Sequence, residues 1–352
     1  MESARQKRDQ KLHALVDQVR ARKFPYEPRE AKPVDWAGYT EAQVNELNDV
    51  IVLIRETVDA VPEGPALRHG GRGRTKEYEA KDLAKTILMQ QHFQISNRAA
   101  EGYARLFKEK LRLDRVPHYK AIERAYEDGR VRRVLDGVFA LTQLPEQGHV
   151  EGFTLDGSGL PRDVKGNWER DKTTKDAKKE RFDGSVAMLT VPHMIVTAHV
   201  KRVIGFENES PTLQPLIEQT LTHYGHLDGF VTADAAFLSR KNCDAIDDAG
   251  AAPRIFPKRN STLNPGGSKA WRKMLDHFLD HPQEFLREYH PRSLSEAHWS
   301  RDKARHGRLR RRVDRRRGLE RHARFTEGNL ARLAVLRRLG ELTIPWMPWG
   351  AA

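Results

Sequence analysis

The chain has 352 residues, of which 38% are hydrophobic and 32% charged, with 62 lysines and arginines against 49 acids and a formal net charge of +13. That length holds two domains with ordinary cores, and the cationic excess favours a polyanionic partner, nucleic acid first and an anionic membrane surface second. No run of about 18 apolar residues exists, which excludes a bilayer-spanning helix, and a single cysteine, Cys243, excludes an intramolecular disulfide or a cysteine zinc cluster.

The opening MESARQKRDQKLHALVDQVR has no apolar segment of the signal-peptide kind. A cytoplasmic, nucleoid-associated protein is therefore expected. Residues 1 to about 35 read as a helix and an arm containing Pro25, Pro28 and Pro33. Val44, Leu47, Val50, Ile51, Ile54, Val58 and Val61 recur at helical spacing, which predicts an amphipathic helix over 41–61, stopped by Pro62 and Pro65. A Gly- and Arg-rich connector, GPALRHGGRGRTKEY, follows and reads as mobile, within reach of a phosphate backbone. Three short helices come next. Leu83, Ile87 and Leu88 mark the first. Ser96 caps the second, with Ala99, Tyr103 and Leu106. Pro117 opens the third, with Tyr119, Ile122 and Tyr126. Short helices with tight turns resemble a helix-turn-helix unit near 80–128; a plain packing bundle is the alternative. A helix over 130–141 closes this region.

The pattern then changes. EGFTLDGSGL reads as strand then turn, and SVAMLTVPHMIVTAHVKRVIGF as two strands. The charged stretch between them reads as a mobile loop or a substrate clamp. SPTLQPLIEQTLTHYG is a helix with Ser210 at its cap and Pro211 in its first position. GFVTADAAF is a strand, SRKNCDAIDDAG a helix ended by Gly250 with Cys243 packed inside, and APRIFPKR a further strand; helices dominate from about 268. The fold class is α/β: a mixed sheet with helices on both faces, preceded by an all-helical region. The boundary is placed at 147/148, giving a helical, DNA-end-binding region over 1–147 and a catalytic domain over 148–345.

Tyr289, Arg292, Glu296 and Lys303 stand as Tyr-x2-Arg-x3-Glu-x6-Lys. Steps of three, four and seven bring side chains onto one side of a helix. A tyrosine, two cations and a carboxylate on such a line suit a site that holds a metal and a phosphate together. Asp156 and Asp234 each end a strand-like run, where ligands gather in open sheets. Mg²⁺ takes hard oxygen ligands and keeps several waters, so a few carboxylates from converging elements suffice. Asp156 and Asp234 are 78 positions apart, and Asp234 and Glu296 are 62 apart; spacing alone does not establish convergence. The bland readings are specific. Ser293 and Glu296 form a capping box, Asp156 before Gly157 is a turn residue, and Asp234 caps a helix. Trp299 reads as core, and His298 has no assigned role. From Arg301 to Arg324 the chain carries twelve cations and three acids, which predicts repulsion relieved by DNA phosphate.

On these residues the chain resembles the DDE transposases of prokaryotic insertion sequences, in the branch marked by the Tyr-x2-Arg-x3-Glu-x6-Lys signature. YHPRSLSEAHWSRDK carries that signature at all four positions. FTLDGSGL resembles the family's first-aspartate strand, VTADAAF its second, AAPRIFPKRN the strand after it, and RHARFTEGNLARLAVL its closing helix. SNRAAEGYARLF with VPHYKAIERA resembles its helical N-terminal region. The resemblance covers most of 80–340. It implies a ribonuclease-H-like catalytic domain in which Asp156, Asp234 and Glu296 bind two Mg²⁺ or Mn²⁺ ions. It implies that Arg292 and Lys303 contact phosphates near a transposon end and that Tyr289 helps to position the strand. The implied partners are double-stranded DNA, as element ends and target, and a second copy of the chain on paired ends. Two departures stand out. Ala235-Ala236-Phe237 replaces the usual glycine and aromatic, and the short interval between Asp234 and Glu296 leaves no room for the insertion some relatives carry. Hairpin and hairpin-free cleavage both stay open. The rival readings are a catalytically inactive DNA-binding descendant and a metal-dependent nuclease without strand transfer.

Overall fold

The computed structural model describes residues 4–28, 33–63, 77–162, 182–202 and 208–347. The connector after Pro62, with Pro65, and most of the charged loop between the first two strands lie outside the described residues. In chain order the helices are α1 (Ala4–Arg20), α2 (Trp36–Ala60), α3 (Ala80–Phe93), α4 (Asn97–Leu106), α5 (Lys108–Leu111), α6 (Tyr119–Ala125) and α7 (Gly129–Leu141). Then come β1 (Gly152–Pro161), β2 (Phe182–Val191), β3 (Val196–Arg202), α8 (Leu213–Tyr224), β4 (Phe230–Ala233), α9 (Arg240–Asp248) and β5 (Ala252–Ile255). Four helices close the chain: α10 (Lys269–Asp280), α11 (Pro282–Tyr289), α12 (Ser293–His306) and α13 (Asp314–Arg338). No helix among the described residues is long and apolar enough to cross a membrane.

Contacts divide the chain into two units, and the division is not the linear one expected at 147/148. The first unit takes the described residues of 4–34, 148–159 and 182–300; the second takes 35–147, 160–162 and 301–347. α1 joins the sheet because Leu12 and Val16 are buried in its core. Polar anchors fix it there: Arg8 donates to Asp276 at 2.8 Å, and the Leu263 amide donates to Asp9 at 2.7 Å. An amphipathic helix of this length is stable only where it can bury such a face.

The first unit is a mixed five-stranded sheet in the order β3-β2-β1-β4-β5, flanked by helices. β1, β4 and β5 run parallel, whereas β2 and β3 form an antiparallel pair. β2 is buried along its whole length, which explains its near-continuous apolar run. The turn expected after Asp156 is absent: β1 continues through Gly157, Ser158 and Gly159 to Pro161. Cys243 is buried in α9, and burial pushes its thiol up to about 12. Gly250 ends that region at φ +100°, a conformation that suits a residue without Cβ. Ser210 and Pro211 open a 3₁₀ turn rather than the α-helix itself, which starts at Leu213.

The second unit is helical. α2, α3, α7 and α13 pack on one another, and α3 is buried almost throughout. Ser96 caps α4 by accepting from the Ala99 amide, as its position predicts. α3, α4 and α6 contact each other as three short helices. Leu106, expected inside, is exposed. α2 starts at Trp36, earlier than expected, because the Asp35 carboxylate accepts from the Gly38 amide and caps it there. A buried ionic network sits between α3, α12 and α13. Glu327 is fully buried and pairs with Arg305 and His92, both at 2.9 Å, and with His306 at 3.1 Å.

Candidate active site

The geometry starts with strand register. In the parallel β1–β4 pair, Leu155 lies opposite Ala233. Asp156 and Asp234 are therefore the next residues on neighbouring strands, whose backbones run about 4.8 Å apart. Two carboxylates 78 positions apart in sequence are placed side by side at the end of the pairing, where β4 stops and β1 continues. Asp234 does begin a 3₁₀ turn, but its side chain makes no capping hydrogen bond. The Asp156 carboxylate accepts from the Gly157 amide at 2.8 Å. Burial is the first cause that pushes the Asp156 carboxyl up to about 6; Glu209 and Asp234 add to it, and the Gly157 amide and Arg292 oppose it.

The four-residue signature does not lie on one helix. Tyr289 ends α11, Arg292 closes a 3₁₀ turn over His290–Arg292, and Glu296 lies in the first turn of α12. Pro291 has no amide to continue the α-helical ladder, so the chain breaks there. The break still gathers three of the four residues. Arg292 pairs with Glu296 at 2.5 Å and hydrogen-bonds Tyr289, whose phenol is raised first by burial and then by Asp234. Thr232, two positions before Asp234, donates its hydroxyl to the Tyr289 carbonyl at 3.2 Å. Strand β4 thus carries the anchor for the signature segment and leads directly into Asp234. Arg292 feels Tyr289, Glu296 and Asp234 together.

Among the described residues, no three histidine, cysteine or acidic side chains stand together closely enough to hold a metal ion. Asp156 and Asp234 are brought together; Glu296 is brought to Arg292. The capping-box reading of Glu296 does not describe its pairing, since its carboxylate is turned to the guanidinium. The two aspartate carboxylates are hard oxygen donors of the kind a divalent cation takes. Lys303 lies two turns beyond Glu296 on α12, half-buried, in the second unit.

Two participants were missed by sequence reasoning. Glu209 sits beside Gly157, where a Cβ would approach its Oε1 to 2.7 Å, and is held by Arg202 at 2.8 Å. It lies in a short polar connection with no periodic signal. Trp299 is buried, as expected, but its indole N–H also donates to the Asp156 carbonyl at 3.3 Å. That bond ties the Glu296 helix to the Asp156 strand; an i+3 aromatic on a helix is its only sequence trace.

The basic tract also reads differently in three dimensions. Counter-charges come from within the second unit, some from the tract itself or just beyond it and others from distant segments. Arg305 meets Glu46 and Glu327, Arg315 and Arg316 meet Glu127, Arg316 also meets Glu123, and Arg324 meets Asp302. Arg311 lies over the Tyr126 ring at 3.9 Å and donates to Asn97 and Gln90. The extended segment 308–312 alternates: Leu309 and Arg311 turn inward, while Arg308, Arg310 and Arg312 are exposed. The buried Glu320 carboxylate fixes this segment by accepting from the amides of Arg310 and Arg311 at 2.8 and 2.9 Å. Those three exposed arginines have no carboxylate partner among the described residues.

No family model matches the chain, and no solved structure matches it. It is 26% identical over 313 residues to a probable transposase for insertion sequence element ISA1214 of Archaeoglobus fulgidus, a similarity that spans 87% of this chain and 88% of that protein.

Proposed function

We propose that the protein is a DNA transposase of the DDE type, acting on the ends of its own element. The observation that carries this reading is the register that makes Asp156 and Asp234 neighbours on central parallel strands. The similarity to a probable insertion-sequence transposase over most of both chains supports it. The strand order β3-β2-β1-β4-β5, with three parallel strands on one side and an antiparallel pair on the other, supports a ribonuclease-H-like domain.

In this reading Asp156, Asp234 and Glu296 are the metal-holding residues. Two Mg²⁺ or Mn²⁺ ions, when bound, supply activation of the attacking oxygen and stabilisation of the leaving oxygen. The chain's own residues prepare the site. Asp156, raised to about 6, is ionised at neutral pH and available as a ligand. Arg292 holds Glu296 in the DNA-free protein. A DNA phosphate competes for the guanidinium, whose planar fork suits phosphate as well as carboxylate, and releases Glu296 toward the aspartates. Tyr289 orients Arg292, and Lys303 meets a second phosphate. Arg308, Arg310 and Arg312 extend the phosphate contact along a segment fixed by Glu320. The short helices α3, α4 and α6 recognise the element end, and two copies act on paired ends. Water attacks the phosphodiester at the element end and displaces its 3′-oxygen, which leaves as a 3′-hydroxyl; that hydroxyl then attacks a target phosphodiester and displaces the target's own 3′-oxygen.

A strand-transfer assay on DNA carrying the element ends, with Mg²⁺ or Mn²⁺, tests the proposal: cutting and joining are both expected. Binding without cutting instead assigns the protein as a non-catalytic DNA-binding descendant. Cutting without joining assigns a nuclease.

A further inference from the structure

Arg311 turns inward from the basic segment 308–312, and its guanidinium has no carboxylate partner among the described residues. Taking a cation out of water is costly unless other groups replace the water. Here neutral groups do so. One face lies over the Tyr126 ring, 3.9 Å from its centroid. Nη1 donates to Asn97 Oδ1 at 2.7 Å, and Nη2 donates to Gln90 Oε1 at 3.0 Å. Those two acceptors belong to a wider network. Tyr126 donates its hydroxyl to Gln90 at 2.9 Å and accepts from Gln91 at 2.8 Å. The Gln90 amide gives one hydrogen to Asn97 at 3.0 Å and the other to the Ile95 carbonyl at 3.1 Å. Gln90 thus uses both of its hydrogens and both of its lone pairs. Gln90 and Gln91 lie on α3, Asn97 opens α4, and Tyr126 ends α6. One side chain from the basic segment therefore closes a network that joins all three short helices.

The same segment is held on its other side by α13, whose Glu320 accepts from the amides of Arg310 and Arg311. Arg308, Arg310 and Arg312 project from it into solvent. We propose that Arg311 is a positioning residue: it fixes the three exposed arginines against α3, α4 and α6, so that backbone contact and end recognition are made by a single rigid surface. Arg311 is badly placed as one more phosphate contact, since its terminal nitrogens face amide oxygens inside the unit and Tyr126 covers one side of the guanidinium. Meeting two acceptors while stacking on a ring takes a planar fork, which lysine lacks. Phosphate contacts set where a protein sits on a duplex, and base contacts read the sequence. A loose joint between the two leaves each set of contacts available but lets correct and incorrect registers bind alike. The functional half of this inference rests on reading α3, α4 and α6 as the end-recognising helices; the joint itself does not.

Competition binding of the full chain to a duplex cut from the end of its own element, against a scrambled duplex of equal length and over a range of salt, tests the proposal. Arg311→Lys keeps the charge and is expected to lower the preference for the element end at least about 10-fold, the order of one lost base contact. Affinity for the scrambled duplex and its salt slope are expected to stay as in the wild type. A slope shallower by about 0.9 makes Arg311 a phosphate contact and overturns the proposal. A variant with the wild-type preference overturns it too, and reduces Arg311 to packing. Amide hydrogen exchange of the DNA-free chain reads the joint independently. Arg311→Lys, and Asn97→Ala, which removes one of the two acceptors from the opposite side, are each expected to speed exchange both at the start of α4 and in 308–312. Acceleration confined to the substituted segment overturns the proposal. A wild type that binds both duplexes alike overturns the end-recognition reading; the joint is then upheld or overturned by exchange alone.

Discussion

Replacing Asp156 by Asn is expected to stabilise the metal-free protein at slightly alkaline pH while abolishing cleavage. The carboxyl lies at about 6 instead of its ordinary 3.8, chiefly because burial penalises its charge. Between those two values the folded chain keeps a proton that the unfolded chain has released. The unfolded state therefore binds fewer protons, and stability falls as pH rises through that window. At about 1.4 kcal/mol per tenfold shift, the full cost above the window is roughly 3 kcal/mol, with solvent screening reducing it toward 2. The Asn side chain keeps the shape, accepts from the Gly157 amide as Asp156 does, and carries no charge to desolvate. Urea unfolding of both proteins in a chelator, from about pH 3 to about pH 8, measures the effect. The two curves should coincide at the acid end and separate by about 2–3 kcal/mol at the alkaline end. If their difference stays flat across the range, the electrostatic account of Asp156 is wrong. Adding Mg²⁺ should stabilise the wild type and leave the variant unchanged.

Asp234→Ala should retain DNA affinity and lose cleavage, because its carboxylate makes no capping bond that the fold needs; a cleavage rate near wild type would remove it from the ligand set. Trp299→Phe keeps the ring but deletes the bond to the Asp156 carbonyl, and should cost about 0.5–1.5 kcal/mol in unfolding experiments and slow cleavage more than it weakens DNA binding. Glu327→Ala should destabilise by about 3–5 kcal/mol by leaving Arg305 and two histidines around an empty position. Burial alone would raise the Glu327 carboxyl, but Arg305, His306 and His92 outweigh it and hold it well below the usual 4.5. The wild-type contribution is thus complete above that value and is lost as pH falls below it, a loss the variant should not show on acid titration. The triple variant Arg308→Ala, Arg310→Ala, Arg312→Ala should make the log–log salt dependence of DNA affinity shallower by up to about 2.7. Replacing the carboxylate-paired Arg315, Arg316 and Arg317 should change it much less; equal losses would contradict the sorting of cations by partner.

The elements of this fold were legible where local chemistry decides them. Ser96 announces α4, Gly250 ends the α9 region, and the apolar run of β2 reads as a buried strand. The aspartates were legible as residues but not as neighbours. Register between β1 and β4 is a non-local property of parallel strands, and only the fold puts Leu155 opposite Ala233. Tyr289, Arg292 and Glu296 were legible by spacing, yet the single helix inferred from that spacing does not exist, because Pro291 breaks the chain. The 3₁₀ turn gathers them instead. The basic tract misled for a related reason. Its counter-charges, Glu46, Glu123 and Glu127, lie roughly two to three hundred positions away, so a local charge count exaggerates its repulsion. Val44 and Leu47 share one apolar line with Ile54 and Val58, and periodicity cannot say where along that line a neighbour ends.

The way α1 is held has a consequence for how the molecule comes into being. The helix leaves the ribosome long before its partners do: Arg8 waits for Asp276, 268 positions later, and Asp9 for the amide of Leu263, 254 positions later. Closing so long a loop is slow, so the helix spends most of translation unpartnered and docks as a late event. Trimming α1 as a dispensable leader would strip the cover from one side of the sheet unit, and the expected outcome is aggregation during expression rather than a shorter, working protein.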